Sequence, residues 1–187
     1  MRWERLFADL EASLEAEDRA GFEAEVGELG RAERAVLHLA DRLHAHLGSV
    51  LALHLVEDEE VRGPVGEVGA DWVLVGGPAG SALVPLASVV GVEGLSRASA
   101  PGPTPDRPPA LRPRLGVALR AVARDRSYVR LRLRGGARIG GTLDRVGADH
   151  VDVALHPVDE PRRAAAVTAV RCVPFHAVVV VHGADPR

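Results

Sequence analysis

Apolar positions along this chain follow two different periods. Trp3, Phe7, Leu10 and Leu14 step by 4, 3 and 4 residues, the spacing that lines one stripe of a helix. Val36, Ala40, Leu43 and Leu47 repeat that spacing, and Gly48-Ser49 then offers a helix C-cap. From Val50 the period drops to two: Leu51, Leu53 and Leu55 alternate with Ala52 and His54. An acidic turn at Glu57–Glu60 follows, then Val61, Val65, Val68 and the run Trp72–Val75. Alternation broken by Gly and Pro predicts strands.

Residues 96–113 hold six prolines, which fit neither a helix interior nor a central strand and so read as a linker. Beyond it the plan recurs. A helix is predicted over 114–126, then strand alternation at Val129, Leu131 and Leu133. VRGPVGEVGADWVLV at 61–75 aligns with IGGTLDRVGADHVDV at 139–153 at a constant spacing of 78 residues. VPLASVVGV at 84–92 aligns with VPFHAVVVV at 173–181 at a spacing of 89, so the second copy carries an 11-residue insertion between Ala154 and Cys172. The chain is thus read as a duplication. An N-terminal acidic amphipathic helix occupies 1–30, a helix plus first barrel 31–95, the linker 96–113, and a helix plus second barrel 114–183.

The fold expected for each copy is a small five-stranded barrel. Gly63 and Gly141 fall in the second strand, where a sharp bend leaves no room for a side chain. Gly69 and Gly147 open a turn expected to need positive φ. Pro85 and Pro174 mark a one-turn helical corner before the last strand, and Gly135-Gly136 reads as a hairpin turn. Helix, V-x-L-x-L, strand glycine, turn and apolar strand together resemble the Sm-like (SH3-like) barrel family. The segment RLRLRGGARIGGTLDRVGADHVDVAL at 130–155 is the best match to its first motif. The resemblance implies tandem Sm-like barrels, mainly β with helices. The family's base-holding Asn is replaced by Trp72 or Val73 and by His150 or Val151, and its second motif by Val84-Pro85-Leu86 and Val173-Pro174-Phe175. Its RNA-contacting residues are therefore not carried over. The whole chain also resembles a group of uncharacterised actinobacterial proteins with a similar Trp-rich, acidic opening helix.

Charge adds the main functional expectation. All 23 basic residues are Arg and the net charge is −3, but the distribution is uneven. Residues 1–30 hold nine acids against three Arg, whereas 112–145 hold ten Arg against two Asp. Arg130, Arg132 and Arg134 alternate along one predicted strand and are expected on a single face. Arg120 and Arg124 lie four apart on the preceding helix, with Arg126 and Arg138 beside them. Such a surface suits phosphate backbones, although Tyr128 is the one aromatic nearby. The stripe Trp3, Phe7, Leu10 and Leu14 suits packing within the chain, a dimer, or docking of a protein partner.

Other chemistry is not expected. Asp71 and Asp149 recur at equivalent turns, where the carboxylate is expected to accept backbone N–H bonds. His44 and His46 point apart on a helix. His54, His150, His156, His176 and His182 are scattered and are expected to have no cysteine partner, so neither metal nor cofactor is expected. Cys172, the single cysteine, is expected to be buried. No nucleophile elbow, P-loop or dinucleotide fingerprint is present. With hydrophobic residues at 47% and no secretory signal or spanning segment recognised, the expectation is a cytoplasmic, non-catalytic binding protein with no membrane association. It is read as an RNA- or DNA-associated regulator. The alternative is a protein–protein interaction scaffold or oligomerisation module that forms homo-oligomers through strand edges.

Overall fold

A computed structural model of the chain describes residues 37–77, 80–96, 112–158, 163 and 166–183. The chain divides into two compact units, Met1–His38 and Leu39–Arg187, and the description below concerns the second. Trp3, Phe7, Leu10 and Leu14, with the helix expected over 1–30, lie outside the described residues, as do 97–111 of the linker.

The alternating segments form ten strands: β1 Val50–Leu55, β2 Glu59–Val68, β3 Trp72–Val75, β4 Ala82–Pro85, β5 Val89–Glu93, β6 Tyr128–Leu133, β7 Arg138–Val146, β8 His150–Leu155, β9 Ala169–Pro174 and β10 Val178–Gly183. Helix α1 spans Leu39–His44 and α2 spans Leu115–Asp125. One-turn helices at Leu86–Ser88 and Phe175–Ala177 make the corners expected after Pro85 and Pro174. Gly135 and Gly136, with φ of 80° and 81°, close the β6–β7 hairpin. Among the described residues no helix is long and apolar enough to cross a membrane.

Two separate barrels were expected; one continuous ten-stranded antiparallel sheet is found, in the order β5-β1-β2-β3-β4-β10-β6-β7-β8-β9. The same five-strand order occurs in both copies. Closure fails for a pairing reason. The free edge of β4 is taken by β10 of the other copy, through Leu83↔Val181 and Ala82↔His182, so it cannot return to its own copy. The sheet ends at β5 and β9, which each pair with one strand only among the described residues. The insertion lengthens the β8–β9 connection, as the change in spacing implied.

The sheet bends within its long strands. Residues 59–64 of β2 pair with β1 while 65–68 pair with β3, and β7 is shared between β6 and β8 in the same manner. At the bend, a Cβ on Gly141 would overlap the Ala154 carbonyl oxygen, and one on Gly63 the Gly76 carbonyl. Glycine is thus required by close backbone approach. Gly69 and Gly147 do not have the positive φ expected of them. Their missing side chains instead make room for the rings of Trp72 and His150.

Burial on the two sides of the junction is exchanged. Val179 and Val180 of β10 pack into the first core with Leu43, Leu51, Leu53, Val73 and Val84. Trp72 and Leu83 of the first copy pack into the second core with Leu119, Val129, Leu131, Val151 and Val153. A bulge at Val179 interrupts the β10–β6 ladder. The fully buried Ser88 hydroxyl lies 2.7 Å from both the Val179 and the Pro85 carbonyl oxygens, sharing one hydrogen between them. Helix α2 buries Leu115 and Leu119 and sets Ala118 and Val122 beside them, the i, i+3, i+4, i+7 stripe of a surface helix. Its first turn is held from the first copy: Asp71 Oδ1 accepts the Leu115 N–H at 2.7 Å, and Trp72 Nε1 donates to Pro113 O at 2.9 Å.

Candidate nucleic-acid interface

The outward face of β10, β6 and β7 is basic. Successive outward positions on β6 carry Tyr128, Arg130 and Arg132. Register sets Arg130 between His182 of β10 and Gly140 of β7, and sets Arg132 beside Arg138. These residues and Glu59 line an open cleft of about 520 Å³. Gly140 makes the dent: a Cβ there would meet the Tyr128 hydroxyl. Tyr128 is steadied from behind by the buried His156, whose ring meets it edge-on at 5.3 Å. Thr142 Oγ1 lies 2.8 Å from His156 Nε2, and His156 Nδ1 donates to Pro157 O at 2.9 Å.

Among the described residues the only ion pair in this cleft joins Arg132 to Glu59, at 3.4 Å. Burial holds His182 below its ordinary pKa, reinforced by Arg130 and opposed by Glu59. The same positions in the first copy look quite different. Arg130, Arg132, Arg138 and His182 correspond to Ala52, His54, Glu60 and Glu93. There His54 Nε2 lies 3.0 Å from Glu93, while Arg62 lies 3.1 Å from Glu60 and 4.0 Å from Glu93. The first copy thus neutralises this face internally. In the second copy all four positions have moved toward positive charge.

The seven arginines picked from sequence do not form one surface. Arg130, Arg132 and Arg138 line the cleft. Arg134, expected on the same strand face, instead turns to the backbone, donating to the carbonyls of His176 and Ala87 at 2.8 Å each. It ties the β6–β7 hairpin to both corners. Arg120, Arg124 and Arg126 border a second, shallower cleft of about 720 Å³ with Arg145, Asp144 and Val117. Arg120 is partly engaged there, donating to Gly147 O at 3.2 Å. Glu59 and His182 of the first cleft and Arg145 of the second stand outside the arginine pattern of the sequence. The signal for His182 was its spacing of 89 from Glu93, which shows an acid exchanged for an imidazole.

Beyond α2 lies another constellation. His150 and Asp152 stand two apart on β8, and Cys172 on β9 is the cross-strand partner of Asp152. One donor atom from each lies within 4.8 Å of the others. Cys172 is exposed, not buried as expected, because it sits on an edge strand with its outer side uncovered. The histidine expected to lack a cysteine neighbour has one, brought across the β8–β9 ladder. His150 Nδ1 also lies 2.9 Å from Asp149 Oδ1, which holds the Asp149 carboxyl below the usual carboxylate range. The Asp71 carboxylate accepts a backbone N–H as expected, that of Leu115 at the start of α2, whereas Asp149 engages the His150 ring. Both backbones do serve the corners, with Asp71 O accepting from Leu86 and Asp149 O from Phe175.

Compared with known proteins, the chain matches no family profile, no curated protein and no solved structure.

Proposed function

We propose that this is a non-catalytic binding protein that engages the phosphate backbone of a nucleic acid through Tyr128, Arg130, Arg132, Arg138 and His182. A single cysteine suits a reducing compartment, and on that ground we assign it to the cytoplasm. The observation that carries the reading is the contrast between the copies: a self-neutralised face in the first, and a cleft with one acid against three arginines in the second. Guanidinium groups on a strand face, fixed in register, offer forked donors at regular spacing to phosphate oxygens. Tyr128 adds one ring for stacking at the cleft wall.

The test is a titration of fluorescent single-stranded RNA and duplex DNA at several salt concentrations. Three phosphate contacts predict a loss of affinity of about 20–40-fold between roughly 50 and 200 mM salt. Arg130→Glu with Arg138→Glu should abolish binding and flatten that slope. Arg62→Glu on the matching face of the first copy should change neither. Absence of binding at the lowest salt, or equal losses in both variants, refutes the reading.

A second reading has its own support. The internal junction joins β4 to β10, and the positional counterparts of those strands, β9 and β5, form the two ends of the sheet. Val170 on β9 and Val90 on β5 are 60% and 67% exposed. Pairing β9 of one molecule with β5 of the next would repeat the internal junction and build head-to-tail homo-oligomers. Light scattering on the full chain and on Val90→Lys/Val170→Lys decides this. A monomer mass for the unaltered chain at high concentration excludes it.

A further inference from the structure

We propose that His150, Asp152 and Cys172 form a zinc site with three protein ligands and a fourth position open to water. The three donors come from two paired strands of one sheet, so backbone hydrogen bonding already fixes their Cα positions. Asp152↔Cys172 is a direct cross-strand pair and His150 stands two residues along the same face of β8. The donor atoms lie within 4.8 Å of one another. Tetrahedral zinc with nitrogen, oxygen and sulfur ligands needs donor separations of about 3.3–3.8 Å, set by bonds of roughly 2.0–2.3 Å. Side-chain rotation has to bring the donors together by up to about 1.5 Å. Imidazole, carboxylate and thiolate together suit a borderline-soft dication, whereas magnesium or calcium would call for an all-oxygen set.

Two further observations point the same way. The first is the carboxylate behind the imidazole. Asp149 Oδ1 lies 2.9 Å from His150 Nδ1. A carboxylate can only accept, so Nδ1 carries the proton and Nε2 is the nitrogen left to bind metal. A carboxylate oriented on the far nitrogen of a ligating histidine is the usual outer support of zinc sites.

The second observation is the duplication. His150, Asp152 and Cys172 correspond to Trp72, Leu74 and Leu83, and the register agrees, since Leu74 pairs with Leu83 as Asp152 pairs with Cys172. In the first copy those three side chains pack into the second core, beneath the covering helix and β10. In the second copy no described element lies over the same patch, where Cys172 is exposed and His150 and Asp152 are half-buried. Exposure alone asks only for polar residues there. All three positions instead carry metal-ligating types, including the chain's single cysteine.

On zinc binding the Cys172 thiol loses its proton, which leaves to solvent as the zinc–sulfur bond forms. The site lies apart from the basic cleft, on β8 and β9, and does not depend on nucleic-acid binding.

The experiment uses the full, untagged chain stripped with a chelator and titrated with cobalt(II), then with zinc against a chromophoric chelator. The expected result is one metal per chain, a thiolate-to-cobalt charge-transfer band with tetrahedral ligand-field bands, and their loss on zinc addition. Cys172→Ser should remove the charge-transfer band, and His150→Ala or Asp152→Asn should weaken zinc at least tenfold. Asp149→Asn, which touches no metal, should weaken it by about tenfold while keeping the band. These side chains are at the surface, so circular dichroism should show all variants folded. A cobalt spectrum without the sulfur band, or a band that survives in Cys172→Ser, overturns the proposal. Equal zinc affinity in the unaltered chain and His150→Ala does so too.

Discussion

Replacing Ser88 with alanine tests whether the junction between the copies is as tightly specified as its geometry implies. The Ser88 hydroxyl is fully buried and lies 2.7 Å from the Val179 and Pro85 carbonyl oxygens. Val179 sits at the β10 bulge, where the ladder skips a residue, so Ser88 supplies a donor that the neighbouring strand does not. Alanine removes only the oxygen and leaves buried acceptors without a donor, a loss of about 1–3 kcal/mol. For a chain of this size about 2 kcal/mol lowers the melting temperature by roughly 4–8 °C. Urea unfolding followed by tryptophan fluorescence is a suitable assay, because Trp72 lies in the core that meets this junction. The midpoint should fall while the slope stays constant, since the area exposed on unfolding is unchanged. The exposed neighbour gives the control, with Ala87→Ser expected within about 0.5 kcal/mol of the unaltered chain. A Ser88→Ala midpoint indistinguishable from that control would mean that the bulge carbonyl is satisfied by other means.

Gly141→Ala should cost about 1–3 kcal/mol, because its Cβ would meet the fixed Ala154 carbonyl oxygen; stability measured by urea unfolding checks this. Asp71→Ala should destabilise by about 1 kcal/mol and speed hydrogen exchange at the start of α2, whereas Asp149→Ala should leave α2 untouched. His182, flanked by Glu59 and Arg130, titrates below its ordinary value of 6.5, so the unfolded chain takes up this proton first. Its contribution to stability is complete above that value and is lost as pH falls toward the folded-state pKa, a slope that His182→Asn should remove. If the cleft holds phosphate, binding should tighten on acidification over the same range, as measured by titrations at matched salt.

The strands were legible because burial on one face enforces a period of two, and the positions of Gly63, Gly141, Pro85 and Pro174 anticipated the bends and corners. Hairpin partners follow from chain proximity, so the runs β1–β4 and β6–β9 were legible, whereas the pairing of β5 with β1 and of β10 with β6 joins strands distant in the chain. What could not be inferred was the partner of β4. Ala82 and Leu83 look the same whether they close a barrel or meet Val181 and His182 of the other copy, and the choice is made by contacts almost a hundred residues away in sequence. The arginines show the same limit. Alternation placed Arg130 and Arg132 on a common face, but the corner carbonyls that draw Arg134 away lie in Ala87 and His176, and nothing in the strand pattern announces them. His150 and Cys172 read as unrelated until the β8–β9 register made them neighbours across an inserted loop.

Because each copy lends side chains to the other's interior, the duplication has lost its modularity. A fragment ending before the proline-rich segment would lack Val179 and Val180, and a fragment starting after it would lack Trp72 and Leu83. Neither piece carries a complete set of packing partners. The two should behave as a split protein, aggregating or unfolding when expressed singly and recovering the native fold by complementation when expressed together.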